Sequence, residues 1–206
     1  MKVLLINGSP HKNGATYTAL REVADAVERR GIDTQIFHIG TGPIRGCIAC
    51  GKCAGGGLCV FDDDPVNECV ELAAEADALV IGSPVYFAGP NGALCAFLDR
   101  MFYQKKSRFA NKPGAVVVNL RRSGGSATFD RLNKYFTISA MPVVSSQYWN
   151  ITHGMNPDEQ QEDLEGLQIM RTLGENMAWL MQCIEAAKGT VPPPSPEQLL
   201  RTNFIH

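Results

Sequence analysis

Four cysteines in one short stretch are the residues whose spacing points most directly to chemistry: Cys47, Cys50, Cys53 and Cys59. Two, two and five residues separate them, and the glycines between them let the loop curl so that four thiols reach one centre. Cysteines two residues apart are typical of iron–sulfur loops, whereas structural zinc more often uses two separated C-x-x-C pairs. The compact run therefore favours iron over zinc, and a loop of reduced thiols without metal stays open as a third interpretation.

A second candidate site lies in the first sixteen residues of the chain. Residues 2–6 are an apolar run that predicts a buried strand, which the turn residues 7–10 end. From Ala15 the apolar residues follow a helical period. A polar loop between a strand and a helix presents backbone N–H groups at the positive end of the helix, which favours an anion. The hydroxyls of Ser9 and Thr16 are additional donors.

The type of anion follows from what this loop lacks. It has neither the G-x-x-x-x-G-K-[ST] pattern of nucleoside triphosphate sites nor the G-x-G-x-x-G pattern of dinucleotide sites. A hydroxyl-rich loop without either motif suits a single terminal monophosphate, as in FMN. An ordinary strand–loop–helix turn is the alternative.

Composition and charge exclude several classes of protein. The chain has 206 residues, of which 45% are hydrophobic and 19% charged, values that predict one folded domain. The net charge of −2 gives no sign of the excess of basic residues that nucleic-acid binding requires. No apolar run approaches the roughly 20 residues of a membrane span, and no signal-peptide pattern precedes the first strand. We therefore expect a cytoplasmic protein whose cysteines are thiols or ligands.

Strand and helix patterns alternate along the chain. Strands are predicted at residues 2–6, 34–39, 78–82, 114–120 and 142–148, and the later helices at 65–76, 94–102, 127–139 and 156–188. This alternation predicts an α/β fold: a flavodoxin-like, doubly wound, five-stranded parallel sheet in the order 2-1-3-4-5 within three α/β/α layers. The predicted domain covers residues 1–190 and includes the cysteine loop at 46–64, and residues 191–206 form an arm or tail.

In such a fold the ligand binds at the carboxyl ends of strands 1, 3 and 4, and the loops there have suitable residues. After the third strand, a rigid backbone with aromatic faces suits a flat heterocycle: Pro84, Val85, Tyr86 and Phe87. After the fourth strand, the loop has an amide, two arginines for a phosphate or anionic ring, and two glycines for close approach: Asn119, Arg121, Arg122, Gly124 and Gly125. The alternative for Tyr86 and Phe87 is that they are ordinary packing residues. The alternative for Arg121 and Arg122 is that they belong to a solvent-exposed basic turn without a ligand.

Three segments together resemble the NADPH-dependent FMN reductase-like flavoproteins over about residues 1–150. They are Gly-Ser-Pro-His-Lys-Asn-Gly-Ala-Thr at 8–16, Gly-Ser-Pro-Val-Tyr at 82–86 and Asp-Arg at 99–100. The resemblance implies a flavodoxin-like fold, bound FMN, and a homodimer or homotetramer. It assigns five residues to the phosphate: Ser9, His11, Asn13, Ala15 and Thr16. It assigns residues 84–87 to the isoalloxazine, with Asn119 and its following loop opposite. His11 and Ala15 depart from the family's common arginine and asparagine.

The cysteine run resembles that of the iron–sulfur flavoproteins, a branch of the same family. This resemblance implies a [4Fe–4S] cluster on Cys47, Cys50, Cys53 and Cys59. Val60 follows the fourth cysteine, so the ferredoxin-type Cys-Pro ending is absent.

The sequence thus predicts an FMN-dependent oxidoreductase. Electrons would pass from NAD(P)H through FMN to a small acceptor such as a quinone, a nitro or azo compound, or free flavin. The flavin carries the chemistry, so no catalytic side chain is predicted. The alternative is an iron–sulfur electron carrier that takes electrons from a ferredoxin-like donor without turning over a substrate.

Overall fold

The five strands of the main sheet alternate with helices along the chain, as the sequence predicts. The computed structural model describes residues 1–195, 197–198, 200, 202 and 204, and in residues 105–107 it describes the backbone alone. The strands are β1 (Lys2–Asn7), β2 (Asp33–His38), β3 (Ala78–Tyr86), β4 (Gly89–Pro90), β5 (Gly114–Leu120) and β6 (Ile151–His153). The helices are α1 (Ala15–Arg29), α2 (Val66–Glu75), α3 (Gly92–Phe109), α4 (Gly125–Thr137), α5 (Pro157–Glu162) and α6 (Leu164–Ala187).

The main sheet has the order β2-β1-β3-β5-β6, and all neighbouring strands in it are parallel. Two-residue β4 pairs antiparallel with the end of β3 and lies off this path. The five parallel strands therefore confirm the predicted order 2-1-3-4-5. The register pairs Asn7 with His38 and with Gly82, and it pairs Pro84 with Asn119. These pairings bring the carboxyl ends of β1, β3 and β5 to one edge of the sheet.

Side chains alternate along each central strand between two hydrophobic cores. In β1, Leu4 and Ile6 contribute to the core under α2, α3 and α4, while Val3 and Leu5 contribute to the core under α1 and α6. β3 and β5 follow the same alternation. All four of these β1 side chains are fully buried. Burial on both faces explains why the strands read as continuous apolar runs.

The predicted fifth strand at 142–148 is wrong in position. The parallel strand beside β5 is β6, and the earlier segment makes only an isolated bridge between Gly114 and Val143. Pro142 has no N–H, and Val143 and Tyr148 are exposed. Val144 is buried and its N–H donates to the Gly114 carbonyl at 2.8 Å, but the pairing does not continue beyond this bridge, so the segment does not form a strand beside β5.

The predicted long helix at 156–188 is two helices. Asn156 caps α5, and Asp163 ends α5 and caps α6 by accepting the Gly166 N–H at 3.0 Å. A side chain that caps a new helix competes with continuation of the old one, which places the break at Asp163.

The predicted tail at 191–206 lies partly outside the described residues. Residues 191–195 follow the last helix without forming a helix or strand. In the part of the chain that is described, no helix is long and apolar enough to cross a membrane.

Candidate functional site

A cleft of about 690 Å³ opens at the sheet edge where β1, β3 and β5 end. This volume lies within the range of small-ligand and cofactor sites. Its walls contain ten of the residues that the sequence assigns to cofactor binding: Ser9, His11, Asn13, Ala15, Thr16, Pro84, Val85, Tyr86, Asn119 and Arg121. Three loops far apart in sequence therefore meet around one space.

The loop after β1 is held by its own hydrogen bonds. Buried Asn7 accepts the Ser9 N–H at 3.0 Å and donates from its amide to the Lys12 carbonyl at 3.1 Å. The Ser9 hydroxyl oxygen accepts the His11 N–H at 3.1 Å, which leaves the hydroxyl hydrogen available to a ligand. His38 at the end of β2 bonds through Nε2 to the Ser9 carbonyl at 2.8 Å. The loop is thus fixed in shape before any ligand arrives.

The N-terminus of α1 presents free amide groups to this cleft. Its first intrahelical bond runs from the Thr18 N–H to the Gly14 carbonyl, so the N–H groups of Ala15, Thr16 and Tyr17 have no acceptor within the helix. Gly14 supplies no side-chain cap, and the first turn contains no acidic residue. The positive end of the helix is therefore not neutralised by the protein.

Asn91 ties the first two loops to α3. Its side chain donates to the Gly8 carbonyl at 2.8 Å and accepts the Ala93 N–H at 3.0 Å, capping the helix. Its backbone N–H donates to the Ser83 hydroxyl at 3.2 Å. Asn91 is buried, so these bonds are shielded from water. The sequence pattern left the role of Asn91 unassigned, and only the fold reveals it.

We expect Asn91→Ala to lower the free energy of unfolding by about 1–3 kcal/mol, because it removes a helix cap and leaves the buried Gly8 carbonyl without its donor. Urea unfolding followed by circular dichroism measures this. Asn176→Ala is the control, since it removes a surface bond to the Ser145 carbonyl and should cost no more than about 0.5 kcal/mol. Equal losses in the two variants would contradict the assigned role.

The end of β3 forms the second wall of the cleft and then turns sharply. Val85 pairs with Pro90 and Tyr86 with Gly89, so the chain reverses through Phe87 and Ala88. These two residues have positive φ angles of 50° and 58°, a conformation that side chains other than glycine disfavour. The Phe87 side chain is fully exposed at the tip, and it lies outside the cleft rather than within it.

Residues of the loop after β5 line two different cavities. Asn119 and Arg121 line the main cleft, whereas Arg122 and Gly125 line a neighbouring cavity of about 280 Å³. Gly124 borders neither cavity, and at its φ of 90° a Cβ atom would lie 2.6 Å from the Ala88 Cα. The two glycines therefore allow close packing of α4 against its neighbours, instead of close approach of the backbone to the cleft.

Sequence reasoning missed a fourth segment of the cleft. Gly154, Met155, Asn156 and Pro157 complete its wall, directly after β6. Buried Gln160 in α5 accepts a hydrogen bond from the Asn119 amide at 2.5 Å, which joins this segment to β5. The misplaced fifth strand concealed the segment, although the sequence does predict a helix that begins at residue 156.

The four cysteines border a separate small cavity of about 20 Å³ beside α3. Ala49, Gly51 and Gly56 adopt positive φ angles, which curl the loop tightly. Burial raises the pKa of the Cys53 thiol, and the nearby sulfurs of Cys59, Cys47 and Cys50 raise this pKa further. The four cysteines therefore border one small cavity.

Arg100 fastens this loop to α3. Its guanidinium donates to the Cys59 sulfur at 3.2 Å, to the Phe61 carbonyl at 3.0 Å and to the Asp64 carboxylate. The side chains of Arg100 and Asp64 are 1% and 2% exposed. Burial lowers the pKa of Arg100, but the bonds to Asp64 and Cys59 outweigh it and raise this pKa overall. The loop is therefore anchored by a buried ion pair.

The thiols fit a metal centre in donor type, but their arrangement is not that of a preformed site. Among the described residues, no three His, Cys, Asp or Glu side chains are grouped to hold a metal ion. A space of about 20 Å³ holds roughly one water molecule. Because Cys47 and Cys50 are exposed, a larger group would be accommodated by opening the outer side of the loop.

Comparison with known proteins agrees with this geometry. Residues 1–156 match the NADPH-dependent FMN reductase family. An iron–sulfur flavoprotein of Methanocaldococcus jannaschii is 32% identical over 90% of this chain and all of its own length. An iron–sulfur flavoprotein of Methanosarcina thermophila is 30% identical over 90% of this chain and 97% of its own.

A solved structure establishes the same fold independently. The structure of a flavodoxin from the domain Archaea superimposes with a TM-score of 0.60 at 15% identity, covering 88% of this chain and 99% of that one. The shared fold, the cleft at its strand ends and the family match over three-quarters of the sequence agree. The chain therefore belongs to the NADPH-dependent FMN reductase family.

Proposed function

We propose that this protein binds FMN in the main cleft and acts as an oxidoreductase, taking electrons from NAD(P)H and delivering them to a small acceptor such as a quinone, a nitro or azo compound, or free flavin. The observation that carries this proposal is the convergence of three predicted loops on one cleft of cofactor size. FMN supplies acceptance of a hydride and release of single electrons. The protein binds and orients it.

The phosphate end of the cleft fits a monophosphate. The unpaired amides of the first turn of α1, together with the hydroxyl of Ser9, are donors to anionic oxygens. Among the described residues that line the cleft none is a carboxylate that would repel an anion, whereas His11, Lys12 and Arg121 do line it. The phosphate would therefore occupy the position that the helix dipole favours.

The remaining walls fit a flat ring. Pro84 and Val85 are half-buried and Tyr86 is 44% exposed, so a ring held against this wall would keep one face accessible from solvent. An open face allows a nicotinamide to stack on the ring, and Arg121 can stabilise negative charge on a reduced ring. Asn119 is not a free donor here, because its amide already donates to Gln160 and to Thr152.

Reduction of bound FMN by NADPH or NADH tests the proposal. In protein loaded with FMN and kept free of oxygen, either dinucleotide should bleach the flavin absorbance, and added quinone should restore it. Bound FMN that neither dinucleotide bleaches would overturn the oxidoreductase function. It would favour the alternative of an electron carrier fed by a ferredoxin-like donor.

The cysteine cavity favours a second candidate function, in which a [4Fe–4S] cluster on Cys47, Cys50, Cys53 and Cys59 joins the flavin in electron transfer. Four thiols around one cavity support this, as do the two iron–sulfur flavoprotein relatives. Arg100 and Gln104 lie nine and thirteen residues along α3 from the cap at Asn91. At about 1.5 Å per residue, these two residues of the cysteine cavity lie roughly 14–20 Å along the helix axis from Asn91, whose side chain contacts the loop after β1.

A further inference from the structure

We propose that Gln104 is a positioning residue for the cysteine loop whose side-chain amide donates a hydrogen bond to a sulfur of the bound iron–sulfur cluster. This inference rests on the proposed cluster. It concerns a residue of α3 that no cysteine motif contains, and it starts from a buried donor that the protein itself leaves without a partner.

The orientation of the Gln104 amide is fixed by the loop. Its oxygen Oε1 accepts the backbone N–H of Cys59 at 3.0 Å, an N–H that the Asn67 Oδ1 also accepts at 3.0 Å, and Gln104 is 7% exposed. Since the oxygen is already committed to that N–H, the amide nitrogen Nε2 must be the free end. Nε2 is buried and has no hydrogen-bond partner in the described structure. A buried donor left unsatisfied costs about 1–3 kcal/mol, so an acceptor is expected there.

The location of this donor indicates what the acceptor is. Gln104 lines the same cavity as the four cysteines, together with Arg100 one helical turn earlier. Within the described residues, three other buried side-chain atoms lack a partner, and none of them borders this cavity. Cluster sulfurs carry negative charge and accept N–H bonds, and such bonds are among the determinants of a cluster's reduction potential.

Arg100 already shows the same arrangement. Its Nε donates to the Cys59 sulfur at 3.2 Å, and the Ala49 N–H donates to the Cys47 sulfur at 3.4 Å. Arg100 and Ala49 donate to cysteine sulfurs, and Gln104 would add an N–H donor to a sulfur of the cluster itself. Its two amide atoms then have separate tasks, since the oxygen positions Cys59 and the nitrogen stabilises added electron density.

Two substitutions separate these tasks. Gln104→Glu keeps an oxygen for the Cys59 N–H and replaces the donor with a second negative oxygen, whereas Gln104→Met removes both. Gln168→Glu adds the same charge at an exposed position of α6 and is the control. Each protein is reconstituted with iron and sulfide, iron per chain is assayed, and the cluster's reduction potential is measured by redox titration followed by electron paramagnetic resonance.

We expect Gln104→Glu to retain iron and to shift the potential to lower values, with Gln168→Glu matching the unchanged protein. We expect Gln104→Met to retain iron as well and to lower the potential by a smaller amount, because it removes the donor without adding a charge. A lower potential in Gln104→Glu with no shift in Gln104→Met would reflect the added charge alone and would overturn the proposal. An unshifted potential in Gln104→Glu, or equal loss of iron from both variants, would overturn it in favour of a purely structural role. If the unchanged protein takes up no iron, the cluster function itself fails along with this inference. FMN binding in the main cleft is unaffected by that outcome.

Discussion

Gly8→Ala is expected to lower the free energy of unfolding by about 1–3 kcal/mol and to weaken FMN binding at least about tenfold. A Cβ atom at Gly8 would lie 2.5 Å from the Leu94 Cδ2 and 2.9 Å from the Gly82 carbonyl oxygen. The Gly8 N–H also donates to that carbonyl at 2.9 Å, so β1 and β3 must separate to admit a methyl group. Their separation would displace the loop that presents donors to the phosphate.

Urea unfolding and FMN fluorescence titration measure the two effects. Gly92→Ala, in the first turn of α3, is the matched control because nothing lies within 4 Å of the added Cβ atom. We expect it to be neutral or stabilising by up to about 1 kcal/mol. A Gly8→Ala protein as stable as the Gly92→Ala protein, with unchanged FMN affinity, would show that the close approach at Gly8 is not required.

Arg100→Met is expected to cost about 3–5 kcal/mol of unfolding free energy, the largest effect anticipated for a single substitution. It leaves the Asp64 carboxylate buried without its cation and removes the donors to Cys59 and the Phe61 carbonyl. The guanidinium also lies 5.3 Å from the centre of the Phe61 ring, and that contact is lost as well. Thermal and urea unfolding measure the loss.

A double substitution distinguishes the lost charge pair from general damage. Asp64→Asn keeps the oxygen that accepts the Val66 N–H at 3.2 Å but removes the unpaired charge, so the double variant should be more stable than Arg100→Met alone. Arg45→Met is the control, because its ion pair with Asp63 is exposed and should contribute no more than about 1 kcal/mol. A double variant no more stable than Arg100→Met would contradict this account.

The fold was predictable because its strongest signals are local. The buried strands read as uninterrupted apolar runs, and each polar loop follows one of them. Where the signal depended on pairing, the prediction failed. Residues 142–148 are apolar enough for a strand, yet they make one bridge, and the three residues of β6 pair with β5 instead. A three-residue strand has no period of its own to detect.

The candidate site was predictable where residue types alone determine chemistry. The loop at 8–16, the end of β3 and the four cysteines were identified from residue types, spacing and the family resemblance. Residues 9–16 and 84–86 line the main cleft, Phe87 lies outside it, and the four cysteines border one small cavity. The supporting residues were not identifiable in this way. Asn91, Arg100 and Gln104 act through contacts across 8 to 83 positions of sequence, and such contacts exist only after folding.

The measurement that tests the central claim most directly compares FMN with riboflavin, which lacks the phosphate, in titrations of flavin-free protein. If the amides of α1 and the hydroxyl of Ser9 hold the phosphate, FMN should bind at one per chain and at least about 100-fold more tightly than riboflavin, since two charge-assisted hydrogen bonds contribute about 3 kcal/mol or more. Equal affinity for the two flavins, or no binding of FMN, would contradict the assignment of this cleft.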